Sequence, residues 1–473
     1  LPILSFNSLW YNLNGGAIES LSSNFSQWTM MSYVGRINYG LMDRYLLTAS
    51  LRYDGSSRLS EGNKWALFPS AAIAWRITEE DFAKNLDWLS NLKLRFSYGQ
   101  AGNTNSVSPY ASEGTISGSV YYPFGTSTSV GNLPANIANP MLTWERTSEY
   151  NVGLDFGFLN QRISGNIEYY NRTTNDLLMK RNIPVHLGYS SVTSNVGSVR
   201  NSGFELQLNT ANIMTKNFAW NTTINLAYNK NEIVSLADEE DLSNYSIHLQ
   251  GMRGRYSDKR FIGKPVDTNW TQNTIGVWQL GEEEEAAKYG CVPGNFKIKD
   301  YNNDGKLTDD DYIIDGKRTP DWTGGMTNMF KIYDFDFSFH MYFQAGATQY
   351  DRFFENFALE WNSQNFNNLR TNYWTPENPS NTMGRPSQMG SRGNIAYERT
   401  DFLKVSYITL GYTLNKRLMS KWGLDNARIY VTVQNPFILT KFRGLDPEQP
   451  DLTNIGDTDG MTMNALLGVN ISF

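Results

Sequence analysis

The closing segment Asn464-Ala-Leu-Leu-Gly-Val-Asn-Ile-Ser-Phe473 carries the reading of the fold. Side chains alternate across a strand, so Leu467, Val469, Ile471 and Phe473 fall on one face and Gly468, Asn470 and Ser472 on the other. A last strand with a terminal aromatic suits an outer-membrane β-barrel, and equally a soluble strand covering a core. Recurrence of the pattern upstream tips the balance.

Working outward, Tyr150, Val152, Leu154, Phe156 and Phe158 alternate with Glu149, Asn151, Gly153, Asp155 and Gly157. Trp220, Thr222, Ile224, Leu226 and Tyr228 alternate with Asn221, Thr223, Asn225, Ala227 and Asn229, and Phe335, Phe337, Phe339, Met341 and Phe343 with Asp336, Ser338, His340, Tyr342 and Gln344. Segments of about ten residues with period two are the sequence signature of barrel strands. A soluble sandwich would show the same period, so the connections have to discriminate.

About thirteen strands are predicted, centred near residues 34, 49, 72, 97, 151, 167, 206, 224, 327, 340, 407, 430 and 468. Tight turns are expected at 41–43, 160, 214–216 and 333–334, with moderate linkers at 79–90 and 415–425. Between them lie excursions at 55–64, 104–141, 173–201, 231–321, 348–398 and 435–460. Short on one side and long on the other is the arrangement of periplasmic turns and extracellular loops. Structureless loops of that length would count against a compact soluble domain.

Composition agrees. The 473 residues have 40% hydrophobic content and a mean hydropathy of -0.47, and no run of about 18 apolar residues offers a transmembrane helix. Yet aromatics reach 14%, an excess that suits rings at lipid interfaces or lining a sugar- or peptide-binding lumen. The single Cys291 excludes an internal disulfide or thiolate metal site and reads as structural. A net charge of -6 argues against a nucleic-acid partner. The acidic run at 282–285 reads as a solvated helix or loop.

If the C-terminus is periplasmic, the strand near residue 34 also runs downward and residues 1–27 belong to an extracellular loop. An odd number of strands that begins and ends running down cannot close, because bacterial single-chain barrels have an even number. Leu1-Pro-Ile-Leu-Ser has neither basic n-region nor cleavage site. The expectation is the C-terminal part of a larger barrel, 28–473, whose remaining strands and plug lie elsewhere. The two exposed edges should then pair with strands from outside this sequence.

Local wording is specific enough for a resemblance. Arg52-Tyr-Asp-Gly-Ser-Ser-Arg58, Lys64-Trp-Ala-Leu-Phe-Pro-Ser70, Ala74-Trp-Arg-Ile-Thr78 and Leu92-Lys-Leu-Arg-Phe-Ser-Tyr-Gly99 with Gly102-Asn103 resemble, in order and spacing, the barrel of SusC/RagA-like TonB-dependent transporters of Bacteroidetes. So do Val196-Gly-Ser-Val-Arg-Asn-Ser-Gly-Phe-Glu-Leu206, Tyr373-Trp-Thr-Pro-Glu-Asn378 and Phe402-Leu-Lys-Val-Ser-Tyr-Ile-Thr-Leu-Gly-Tyr412. The resemblance runs from about residue 28 to the end. It implies an all-β transmembrane antiparallel barrel of roughly 22 strands, in the outer membrane of a Gram-negative bacterium among lipid and lipopolysaccharide. It also implies import of oligosaccharides or peptides when TonB pulls on the plug, with a SusD-like surface lipoprotein as lid. The family's N-terminal extension, plug and TonB box are absent from this sequence.

Residue roles follow from placement. Leu154, Phe156, Leu226, Phe337 and Val469 are expected to face lipid in a belt about 25 Å tall. Trp65, Trp75, Trp144 and Trp220 are expected near strand ends in an aromatic girdle, and Asp54-Gly55 at a tight bend where a strand leaves the membrane. Arg52, Arg95, Glu149, Glu168 and Glu205 are assigned to the lumen against the plug, since Arg at midplane in lipid would cost about 2–4 kcal/mol. Tyr121, Tyr122, Phe124, Trp270 and Trp278 could stack on sugars or pack between loops or against the lid.

One motif carries site chemistry. Asp300-Tyr-Asn302-Asn-Asp304-Gly305-Lys306-Leu307-Thr308-Asp-Asp-Asp311 follows the twelve-residue calcium loop, with oxygen ligands at positions 1, 3 and 5, a glycine at 6 and an acid at 12. Asp300, Asn302, Asp304, the Lys306 carbonyl and Asp311 are the expected ligands of a structural calcium ion. Asp311 replaces the usual glutamate and is shorter, and the bland alternative is an acidic turn without metal. His186, His248 and His340 are the three histidines, and no HExxH, GxSxG or GxxxxGK[ST] pattern occurs, so no enzyme is expected. A passive porin or adhesin is the second reading and an outer-membrane hydrolase the third.

Overall fold

Strands form where the alternation runs unbroken. The computed structural model describes residues 25–183, 186, 188–189, 191–359, 371–386, 391–415, 419, 423–449 and 461–473. Residues 1–24 of the expected N-terminal loop segment, and parts of the 173–201, 348–398, 415–425 and 435–460 connections, lie outside them. Thirteen strands build one sheet: β1 Met30–Leu41, β2 Tyr45–Ser56, β3 Trp65–Arg76, β4 Leu89–Asn103, β5 Glu145–Phe158, β6 Ile163–Asn175 and β7 Ser198–Met214. They continue with β8 Phe218–Ser235, β9 Trp322–Ile332, β10 Phe335–Ala345, β11 Phe402–Thr413, β12 Asn426–Thr440 and β13 Asn464–Ser472. Each pairs antiparallel with its neighbours in sequence order, so β1 and β13 are the two edges. Every predicted strand centre falls inside its strand.

Register carries the alternation across the sheet. Leu94 stands opposite Leu154, Leu154 opposite Ile167, Ile167 opposite Leu206 and Leu206 opposite Leu226. Leu154, Phe156, Leu226, Phe337 and Val469 thus share one face. That face is bare at many positions: Ile73, Tyr150, Ile167, Leu410, Leu467 and Val469 are each more than two-fifths exposed. So large a continuous apolar face calls for lipid, and it excludes the soluble sandwich, in which these side chains would be buried between two layers. Among the described residues no helix is long and apolar enough to cross a membrane, which says nothing against crossing by strands.

The turns are tight at one end. Met42 and Asp43 both take positive φ, as do Leu159, Asn160, Gln161 and Tyr333. At the other end the long excursions fold: they carry the hairpins Ile116–Phe124/Ser127–Pro134 and Leu178–Asn182/Ser191–Asn195, the short helix Glu283–Lys288 and several small sheets. The apolar cores lie at this end. Leu59, Phe68, Val107, Leu142 and Trp144 form one, and Val277, Phe296, Phe354, Trp374 and Met383 another, which joins the 236–321 and 346–401 excursions. A wall with lipid outside and polar groups inside has no dry interior of its own, so burial is left to the loops.

Three expectations change. Trp144 is only 1% exposed, packs edge-on against Phe68 and donates its Nε1–H to the Lys64 carbonyl, so it belongs to a loop core and not to a girdle. Asp54 and Gly55 continue β2 without a bend; a Cβ at Gly55 would lie 2.6 Å from the Trp65 ring, so the glycine makes room for an indole that stacks on Tyr53. The long excursions are structured where the sequence suggested irregular loops. Trp65, Trp75 and Trp220 do sit at strand ends.

Candidate functional site

The inner face of β4, β5 and β6 holds a charge network built by register. Gly153 stands between Arg95 and Glu168 across the strands, and a Cβ there would come within 2.9 Å of Arg95 Nη2, so the glycine lets the guanidinium lie over the backbone. Arg95 donates to Asp155 at 2.7 and 3.0 Å and to Glu168 at 2.7 Å. Lys93 Nζ reaches Asp155 at 2.6 Å, and Asn151 and Asn166 donate to Glu168. Arg172 pairs with Glu149 at 2.6 Å and Arg52 with Asp54 at 2.7 Å. Opposite charges so shared on the inner face keep each ion hydrogen-bonded, with Arg95, Asp155 and Glu168 the more sheltered and Arg52 and Arg172 half exposed.

Glu205 is the exception. It stands directly opposite Glu168, where a like charge across a ladder is destabilising, and it has no ion-pair or hydrogen-bond partner among the described residues. It lines a polar cleft of about 440 Å³ with Glu149, Asn151, Tyr170 and Arg172. The sequence placed Arg95, Glu149, Glu168 and Glu205 on the wet face. It did not single out Lys93 or Asp155 as their partners, because partnership depends on register and only parity was legible.

The calcium-type loop lies in the 236–321 excursion with Gly305 at φ +79. Asp300 is 7% exposed and Asp311 fully buried. The Asp300 carboxylate accepts from the Asn303 and Gly305 amides and from the Tyr289 hydroxyl; Asp311 accepts from the Tyr301 and Thr308 amides. Burial opposes ionisation of Asp300, but these donors outweigh it and hold its carboxyl below the usual range. Burial, with the same contact to Asp300, pushes the Tyr289 hydroxyl up to about 12. Asn302 and Asp304 bond to each other and, through Asp304, to the Lys306 amide. An all-oxygen donor set with its sharp glycine turn suits a hard cation in chemistry. The positions do not: among the described residues no three acidic, histidine or cysteine side chains converge as a cage. Ser246 ties this loop to its neighbour by donating to the Asp310 and Tyr312 carbonyls.

Of the loop aromatics, Trp278 is buried, and Trp270 packs on Phe261 and Tyr312. Tyr121, Tyr122 and Phe124 remain exposed on their hairpin. Cys291 is buried beside Trp278 and Ala286; of the acidic run, Glu283, Glu284 and Glu285 are exposed on a short helix, while Glu282 just before it is half-buried and pairs with Lys297.

Asp351 marks the junction of two excursions. It is fully buried; Oδ1 accepts from the Phe354 amide at 2.9 Å, while Oδ2 has no hydrogen-bond partner among the described residues. Burial, reinforced by Glu398 and opposed by the Phe354 amide and Arg443, pushes its carboxyl up to about 6. A raised folded-state value means that the native state holds more protons than the unfolded chain between about pH 4 and 6, so the junction loosens as pH rises through that window. Asp351→Asn keeps the cap and removes the charge. It is expected to stabilise this junction by about 1–3 kcal/mol at pH 7 and by only about 0.5 kcal/mol at pH 4, read as hydrogen exchange of amides 351–359 at the two pH values.

A wall with a lipid-facing outside, a self-paired polar inside, tight turns at one end and folded loops at the other defines an outer-membrane β-barrel. The chain belongs to the family described as TonB dependent receptor-like, beta-barrel, which it matches over residues 5–323. It is 35% identical to the TonB-dependent receptor SusC of Bacteroides thetaiotaomicron over 457 residues, covering 94% of this chain and 44% of SusC. It is 33% identical to the TonB-dependent receptor P26 of Formosa agariphila, covering 96% of this chain and 47% of P26. The solved structure of the RagAB peptide transporter has the same fold, with a TM-score of 0.76 and 24% identity over 97% of this chain and 49% of that one. The chain spans about half the length of the curated relatives that it matches.

Proposed function

We propose that the whole protein imports oligosaccharides or peptides across the outer membrane, driven by TonB, with a SusD-like lipoprotein closing over the long-loop end. Similarity to SusC along nearly the entire chain carries this reading, and the folded loop cores support it by offering a lid a firm seat. In this reading β1 and β13 pair with strands outside the present sequence, and Glu205 meets a basic group of the plug. Calcium in the 300–311 loop, with Asp300, Asn302, Asp304, the Lys306 carbonyl and Asp311 as ligands, would brace the long-loop end once the Asp300 and Asp311 carboxylates turn from the loop amides that they accept from in the structure; the loop spacing and the left-handed Gly305 support it.

The test is purification of the tagged, full-length protein from native outer membranes. A surface lipoprotein is expected at about one copy per barrel, and uptake of the cognate oligosaccharide or peptide is expected to fall to background without TonB. Recovery of the barrel alone, together with uptake indifferent to TonB, would point to a passive porin instead.

A further inference from the structure

At the long-loop end of β10, β11 and β12 the lipid-facing side of the wall is interrupted by a crevice of about 1050 Å³. Phe343 stands opposite Leu403, and Leu403 opposite Leu439, in a row on the apolar face. Leu439 is 61% exposed. Arg399, Asp401 and Lys441 line the rim. Arg399 donates Nε to Asp401 at 2.8 Å, with Nη2 at 2.7 Å, while Lys441 is exposed and has no ionic partner among the described residues. Two cations against one carboxylate leave the rim net positive.

An apolar slot below a cationic rim, at the long-loop ends of three strands, matches an amphiphile with acyl chains and an anionic head. A neutral lipid would fill the slot but leave Lys441 unmatched, and a zwitterionic one would bring its own cation beside a rim that is already net positive. We propose that this crevice binds one phosphate-bearing, multiply acylated lipid of the outer leaflet. An acyl chain lies along Phe343, Leu403 and Leu439, and a phosphate sits on Lys441 and Arg399. The lipid then braces the strand ends from which the 346–401 and 441–463 excursions rise.

The experiment is native mass spectrometry of the full-length protein in detergent, titrated with lipid A, dephosphorylated lipid A, phosphatidylethanolamine or inorganic phosphate. One lipid A is expected to be held per barrel. Its affinity should fall about fivefold in Lys441→Gln and about twenty-five-fold when Arg399→Gln is added. Dephosphorylated lipid A should bind wild type as weakly as lipid A binds the double variant. Leu439→Asn, which keeps the rim charges, should weaken both lipids alike, and Lys216→Gln at the short-turn end should change nothing. Equal retention of phosphorylated and dephosphorylated lipid, equal binding of phosphatidylethanolamine, or an equal loss in Lys216→Gln would overturn the proposal. Displacement of lipid A by inorganic phosphate would make the rim a simple anion site and overturn it as well.

Discussion

Replacing Gly203 by alanine is expected to lower the amount of folded, heat-resistant barrel in the outer membrane by more than about tenfold. Gly203 lies on the inner face of β7 between Tyr170 and Asn229, and a Cβ there would stand 1.9 Å from the Tyr228 carbonyl oxygen and 2.8 Å from the Tyr170 hydroxyl. The first neighbour is backbone, so relief requires β7 to move away from β8, one of the most extensive pairings in the sheet. Forcing atoms into a site of this kind costs about 3 kcal/mol, the upper end of what overpacking usually costs. Gly99→Ala is the matched control: its Cβ would meet only the Ser70 Cβ at 3.4 Å, and the barrel should be retained. Equal levels of the two variants on a heat-modifiability gel would show that the close approach at Gly203 has no structural weight.

If the 300–311 loop holds calcium as proposed, its removal is expected to loosen the 236–321 excursion while leaving the sheet folded. At about 10 mM calcium over a dissociation constant of about 0.1 mM, the ion would contribute about 2.7 kcal/mol, or about a hundredfold protection against local opening. Limited proteolysis of the full-length protein with and without chelator reads this directly. Asp304→Ala is the diagnostic variant, because Asp304 is exposed and bonds only within the loop. It should open the excursion in the presence of calcium as chelator does in wild type, and chelator should then add nothing. Asp311→Ala is less informative, because the buried Asp311 carboxylate accepts from two amides and its loss destabilises the loop with or without an ion. Unchanged proteolysis in wild type on chelation, together with a silent Asp304→Ala, would leave the motif as a turn held by its own hydrogen bonds.

The strands were legible because a lipid-facing wall imposes period two on every crossing segment. Leu154, Phe156, Leu226, Phe337 and Val469 could be assigned to one face from parity alone, as could Arg95, Glu149, Glu168 and Glu205 to the other. Trp144 shows the limit of that reading. It stands next to β5 in sequence, as a girdle residue would, yet excursions remote in sequence fold over it and turn it into core. Gly55 shows another: a glycine beside an aspartate reads as a bend, whereas its role here is set by the ring of Trp65 on the neighbouring strand.

By itself, then, the sequence determined the number and placement of the strands, which end of the sheet has tight turns, and which side chains meet lipid. Those properties depend on local alternation and on the spacing of turns, which a linear chain records. Only the tertiary structure decided that Lys93 and Asp155 complete the Arg95 network, that Glu205 faces Glu168 with no partner among the described residues, that Asp351 is buried at a junction of two excursions, and that Arg399 and Lys441 share the rim of one crevice. Each of these joins residues from different strands or excursions, and such pairings are set by register and loop packing, to which parity is blind.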